Sequence, residues 1–314
     1  MNIEAVKRTL CGPMIPVITN LKDDLSVDLE AIQFNVNYVV ERGIVKGSGV
    51  LLAVGAGGDF PMLTVQERKD VARAIMDAAD GRVPVLVGAQ DTSPGVSLEL
   101  AQFAQEIGAY GIQLAPPYYY HPSDEDVFRW FRSVHEATDG IALMVYNTWW
   151  HGYNMSFEII ERLAELERVV SLKWSTPDGG RTYAKGVARF ADRLAVVDNQ
   201  GLQVLTHMLG GTGYITHLAT VWPEHDLSIW DKMESGDYVG ALSEFQRVNW
   251  PWLDFRVKMG GRTGGESHVV KAALELRGRP GGPCRPPARA LNAEERAELR
   301  EILIQIGVPG IVNS

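Results

Sequence analysis

An α/β fold, a TIM (β/α)8 barrel with additional C-terminal helices, is the architecture this sequence predicts. Three observations predict it. Eight short apolar runs recur before residue 220, amphipathic stretches separate them, and no G-x-G-x-x-G follows the first run. Near-continuous apolar runs suit parallel strands covered on their outer faces. Eight strand–helix units invite closure into a barrel, and the missing glycine fingerprint removes the main argument for an open doubly wound sheet.

In chain order the expected strands are GPMIPVIT (12–19), GSGVLLAVG (47–55), VPVLVGAQ (83–90), GIQLAPP (111–117), IALMVYN (141–147), VVSLKWS (169–175), LAVVDNQ (194–200) and GYITHLA (213–219). The first helical stretch sets Leu29, Ile32, Val36 and Val39 or Val40 on one face and stops at Gly43, a C-cap glycine. The next opens with Thr64 and has Glu67 three residues on, a capping box. SPGVSLELAQFAQEIG and SFEIIERLAEL repeat the form. Beyond the eighth strand three further helical patterns run over EHDLSIW…FRVKMGG, GESHVVKAALELRG and NAEERAELREILIQIG. A linker rich in Gly and Pro, GRPGGPCRPPARAL, interrupts them. The expected division is a barrel in residues 1–225 and a helical extension packed on it in residues 226–314.

The bulk properties bound the function. With 314 residues and 46% hydrophobic content the chain can bury a large core. A formal charge of -9 and the lack of a basic stripe argue against nucleic acid as a partner. No apolar run reaches membrane-helix length, and MNIEAVKRTL lacks the apolar centre of a signal peptide, so a cytoplasmic location and no membrane partner are expected. Two cysteines, Cys11 and Cys284, make neither a disulfide framework nor a metal spacing. No metal and no cofactor are expected.

In barrels of this kind the chemistry gathers at the C-terminal ends of the strands. There the sequence offers the Gly55–Phe60 loop, PPYYYHP, Tyr146 with Asn147, Lys173, DNQ, and Thr216 with His217. Lys173 is the anomaly, an ammonium inside VVSLKWS. A lysine in an apolar strand snorkels, pairs or loses its proton. A desolvated lysine is neutral part of the time and can condense with a ketone. Tyr146, on the neighbouring strand at similar depth, can move protons to and from whatever the amine attacks. Gly55, Ala56, Gly57 and Gly58 let backbone N–H groups approach a carboxylate without side chains intervening. Trp149 and His151, in the loop after the fifth run, are candidate substrate contacts.

This constellation resembles the dihydrodipicolinate synthase / N-acetylneuraminate lyase superfamily of Schiff-base barrels. The resemblance spans nearly the whole chain: PMIPVITNLKDDLSVDLEAI, the loop before LTVQER, GAYGIQLAPPYYYHP, the YN pair, the lysine strand and GGPCRPP. It implies a class I, metal-independent lyase with Lys173 as imine former, Tyr146 as proton shuttle and residues 55–59 as carboxylate cradle. It implies homo-oligomers, tetramers or dimers, in which Tyr119 reaches a neighbour's catalytic site. It places Ile215 against the bound keto acid.

Two departures narrow the reading. The family loop usually reads G-T-T-G-E or G-S-T-G-E; here it is Gly55-Ala56-Gly57-Gly58-Asp59, so a tyrosine–threonine–tyrosine proton relay is not intact. Lysine-pathway synthases carry an arginine after YN, where this chain has His151, which argues against dihydrodipicolinate synthesis. The expected reaction is aldol cleavage or condensation on pyruvate or a related 2-keto acid. One alternative is dehydration of a 2-keto-3-deoxy sugar acid, such as 5-dehydro-4-deoxyglucarate, whose enzymes share a G-x-G-E-F loop. The other is a non-catalytic keto-acid sensor.

Overall fold

The computed structural model describes residues 1–311. All eight expected strands are present, each shorter than its apolar run: β1 Gly12–Pro16, β2 Val50–Ala53, β3 Val85–Gly88, β4 Gly111–Leu114, β5 Ala142–Tyr146, β6 Val169–Trp174, β7 Ala195–Asp198 and β8 Gly213–Ile215. They close into a barrel in sequence order, with β1 pairing β8 in parallel from Gly12↔Gly213 to Met14↔Ile215. The residues trimmed from each run belong to loops, except Leu218 and Ala219, which open the short helix Leu218–Val221.

The chain forms two compact units. One comprises Met1–Met14, Val45–Leu52 and Val83–Ile215; the other comprises Ile15–Ile44, Ala53–Arg82 and the chain from Thr216 onward.

The first unit contains a buried apolar cluster that shows which way each strand residue faces. Met14, Val50, Leu52, Leu86, Ala142, Met144, Val170, Ala195 and Val197 pack together inside the barrel. Side chains alternate along a strand, and residues paired across strands point the same way. Tyr146 is two residues beyond Met144 and pairs Lys173, which pairs Val197. Gln113 pairs Met144. Lys173, Tyr146 and Gln113 therefore all face the barrel interior, while Leu172 and Trp174 face the helix layer. Trp174 Nε1 donates to the Tyr183 carbonyl at 3.1 Å, and its ring lies against Gly186 of the helix Gly179–Phe190.

β6 reaches this arrangement through a bulge. Leu143 pairs Val169 but Met144 pairs Ser171, which leaves Val170 as an extra residue. A bulge of this sort shifts the in–out alternation by one position. Val170 and Lys173 can thus both face inward although three positions separate them.

An N-terminal helix, Ile3–Thr9, was not expected from the sequence. Asn2 caps it, and its Val6 and the following Leu10 join the interior cluster.

In the second unit the helix Leu29–Glu41 ends as predicted: Gly43 takes φ +99, its N–H donates to Val40, and the N–H of Ile44 donates to Val39. Ile32, Val36, Val39 and Val40 are buried, but Leu29 is exposed, because the first residue of a helix lies outside the packed turns. The capping box of Thr64 and Glu67 forms at the start of the helix Val65–Ala79. Glu67 also accepts two hydrogen bonds from Arg285 of the Gly/Pro linker, at 3.0 and 2.8 Å, and Arg285 further bonds the carbonyls of Met62 and Leu25. The long pattern after β8 splits into Pro223–Glu234 and Tyr238–Gly260, separated at Gly236 with φ +81. Trp252, Phe255, Val269, Leu274, Leu299 and Leu303 carry much of this unit's core.

Candidate active site

Lys173 is 5% exposed. Its strand partner Tyr146 holds the phenol ring beneath the amine, with Nζ 3.8 Å from the ring centroid. That contact stabilises an ammonium over the ring face, and it keeps the phenol beside the nitrogen. Nζ also donates to Gln113 Oε1 at 3.2 Å. The structure thus brings together the two residues the sequence paired, Lys173 and Tyr146. It adds Gln113, which sequence reading missed. The signal was present: Gln113 is a lone polar residue in an apolar strand, as Lys173 is.

Beyond Tyr146 lies a chain of rings. Trp150 meets Tyr146 edge-on with centroids 5.7 Å apart, Trp149 meets Trp150 at 5.4 Å, and His151 lies 5.9 Å from Trp150 and 5.5 Å from Tyr118. Asn147 fixes the loop bearing these rings: its Nδ2 donates to Asn154 and to the Ser175 carbonyl, and its Oδ1 accepts from the Met155 N–H. Asn147 was read only as half of a motif; it clamps the end of β5 to the end of β6. Trp149 and His151 are exposed at the surface of this loop. Tyr119 is 82% exposed at φ +85, edge-on to Tyr120 at 5.3 Å. Ile215, at the end of β8, packs against the interior cluster.

Asp198 closes β7. Its carboxylate accepts from the Tyr183 hydroxyl at 2.5 Å and from the N–H groups of Gln200 and Leu202. Burial pushes its carboxyl up to about 6, and the desolvated Tyr183 hydroxyl beside it is held well above its usual range. These groups tie the loop after β7 to the helix Gly179–Phe190.

In the second unit, residues 55–59 form a tight turn. Ala56–Gly58 is one turn of 3₁₀ helix, and Asp59 follows in the left-handed region at φ +53. The Gly58 N–H donates to the Gly55 carbonyl at 3.0 Å, and the Gly58 carbonyl accepts from Thr19 Oγ1 at 2.7 Å. Glycine is required at 57 by close approach: a Cβ there would sit 2.5 Å from Pro16 Cβ and 2.8 Å from His217 Nε2. Arg256 Nη1 donates to His217 Nδ1 at 3.0 Å, so the ring proton is on Nε2, which faces Glu266 at 3.5 Å. Asp59 accepts from the Glu266 N–H at 3.2 Å and from the Ser267 hydroxyl. The turn is therefore held by Thr19, just after β1, and by Glu266 and Ser267, just ahead of the helix His268–Leu276, contacts that no local pattern in the sequence signals.

Comparisons with known proteins bear on the family and the fold. Residues 9–306 match the model of the dihydrodipicolinate synthetase family. A 4-hydroxy-tetrahydrodipicolinate synthase 1 of Halalkalibacterium halodurans is 30% identical over 284 residues, which is 90% of this chain and 92% of that protein. An uncharacterized DapA-like lyase of Halobacterium salinarum is 28% identical over 299 residues, 95% of each. Among solved structures, YagE of Escherichia coli K12, a prophage protein of the dihydrodipicolinic acid synthase family in complex with pyruvate, superposes with a TM-score of 0.84 at 26% identity, covering 95% of this chain and 99% of that one. A closed eight-stranded barrel, a lysine buried beside a tyrosine in its interior, and a match that runs almost end to end lead to one conclusion: this chain belongs to the dihydrodipicolinate synthetase family of lyases.

Proposed function

We propose that the protein is a class I lyase that binds pyruvate or a related 2-oxo acid as an imine on Lys173. The observation that carries this reading is the Lys173 amine, buried in the barrel interior with Nζ 3.8 Å over the Tyr146 ring. The amine in its neutral form attacks C2 of the oxo acid, water leaves, and an iminium results. The iminium draws electrons from C3. A proton or the C3–C4 bond can then be lost from C3 to give an enamine, and the reverse steps make the bond. Tyr146 moves the protons. The 55–59 turn supplies N–H donors for the substrate carboxylate. Because the Gly58 N–H already bonds Gly55, the cradle narrows to Ala56 and Gly57. Pyruvate in the related YagE structure supports the substrate class.

The preferred reaction is aldol cleavage or condensation. Dehydration of a 2-oxo-3-deoxy sugar acid is the second reading, favoured by the Gly55–Phe60 sequence, and it passes through the same enamine. Borohydride reduction in the presence of pyruvate, followed by mass spectrometry, tests the shared step. An adduct on Lys173 is expected. Pyruvate binding without an adduct would instead mark a keto-acid sensor. Turnover of a panel of 2-oxo acids, with and without aldehydes, then separates aldolase from dehydratase.

A further inference from the structure

Gln113 lies within β4 and is 1% exposed. Its Oε1 accepts from Lys173 Nζ. The amide's orientation follows, since the opposite one would set an NH2 group against an ammonium. The other end of the amide, Nε2, is buried and has no hydrogen-bond partner among the described residues. A buried donor left unpaired costs about 1–3 kcal/mol, and native structures hold few of them. Oxygen and nitrogen of one amide are about 2.3 Å apart, so Nε2 lies within roughly 5.5 Å of Nζ, 3.2 Å of that span being the hydrogen bond. A donor at this range reaches an oxygen on the carbon that Nζ attacks.

Resting on the imine reading above, we propose that Gln113 is a catalytic residue of imine formation, its Nε2 donating to the substrate's ketone oxygen during attack and to the carbinolamine hydroxyl as that group departs. The lone pair of Nζ forms the bond to C2 while the C=O π pair moves to oxygen, which takes a proton. That proton is the one Nζ sheds through the phenol of Tyr146, and a second proton, from solvent, makes the oxygen water. The C2–O bond breaks as the nitrogen lone pair, freed by that earlier loss of a proton, forms C=N, and one proton stays on the iminium nitrogen. Gln113 gives up no proton. It stabilises the charge that develops on oxygen, a role in which one preorganised donor is worth a large factor. Its Oε1 meanwhile accepts from the remaining iminium N–H and fixes the plane of the C=N bond. The same contacts run in reverse when product is hydrolysed from the lysine.

The test is the rate of pyruvate trapping by borohydride as a function of pH, alongside exchange of the pyruvate ketone oxygen with 18O-labelled water, in wild type, Gln113→Leu and Gln113→Glu. The two variants separate the ends of the amide. Losing only the acceptor for the ammonium would move the inflection of the pH profile. Losing the donor lowers the high-pH plateau. The expected result is a plateau and an oxygen-exchange rate lower by about 100-fold in both variants. Gln113→Glu keeps the side-chain length and the acceptor, so it decides the matter if the leucine variant does not fold. A plateau within about threefold of wild type in a folded variant would overturn the assignment and leave Gln113 as a partner of the ammonium only. Absence of any adduct on the wild type would overturn the imine reading itself, and this inference with it.

Discussion

Gly57→Ala tests the carboxylate cradle directly. The added methyl group would sit 2.5 Å from Pro16 Cβ and 2.8 Å from His217 Nε2. Ordinary carbon contacts are about 3.5–4.0 Å, so the alanine is short of room by about 1 Å. Neither neighbour turns aside easily. Pro16 is the last residue of β1, and the His217 ring is held by Arg256. The turn must therefore move, and it carries the N–H groups of Ala56 and Gly57 with it. A displacement of about 1 Å takes a hydrogen bond of ordinary length out of range. A hydrogen bond to a charged group contributes about 1.5–3 kcal/mol, and each 1.4 kcal/mol is about tenfold in affinity. Loss of one bond thus raises the half-saturating pyruvate concentration for borohydride trapping by about ten- to a hundredfold. Trapping at saturating pyruvate should fall much less, because Lys173 is not in the turn. The same overpacking lowers stability by about 1–3 kcal/mol, which a thermal melt reports. A Gly57→Ala protein with wild-type half-saturation would refute the cradle.

Four further outcomes are expected. Lys173→Ala should abolish both the trapped adduct and turnover, whereas Tyr146→Phe should leave imine formation slow but detectable by mass spectrometry. Gly186→Ala should lower the melting temperature, because its Cβ would lie 2.7 Å from the Trp174 ring; overpacking of about 1–3 kcal/mol outweighs the gain in helix propensity of about 1 kcal/mol. The hydrogen bonds from Arg285 hold Glu67 at about 2, below its ordinary 4.5. That stabilisation is complete above the unfolded value and is lost as pH falls toward 2, so the melting-temperature gap between wild type and Arg285→Met should shrink on acidification from pH 6. Finally, Tyr119 and Tyr120, both more than 80% exposed, should lie in a contact between copies, as the family resemblance implies. Sedimentation should give a mass above 34.6 kDa that falls to the single-chain value when both are changed to alanine.

Much of the barrel could be read from the chain because its information is local. Eight apolar runs separated by capped amphipathic stretches place the strands, and one misplaced lysine among valine, leucine and tryptophan marks the candidate site. Gln113 escaped because a single glutamine in GIQLAPP reads as a blemish in a strand; only pairing with Met144 turns it toward the lysine. The N-terminal helix escaped because its seven residues show too short a period to stand out. The contacts of Asp59 with Glu266 and Ser267 join residues more than two hundred positions apart, a distance over which no sequence pattern carries. The Glu67 capping box was visible, but its second partner, Arg285, was not.

The unpaired Val170 has a consequence for anyone editing this chain. The direction of the Lys173 amine is set by counting along its strand, and the count includes one odd step. Removing Val170 would leave Val169 and Ser171 opposite Leu143 and Met144 in plain alternation, so Lys173 would stay opposite Tyr146; removing Leu172, past the odd step, would instead turn Lys173 out toward the helices and Trp174 inward. In composition the two deletions differ by a single aliphatic residue, yet only the second would take the amine out of the barrel interior.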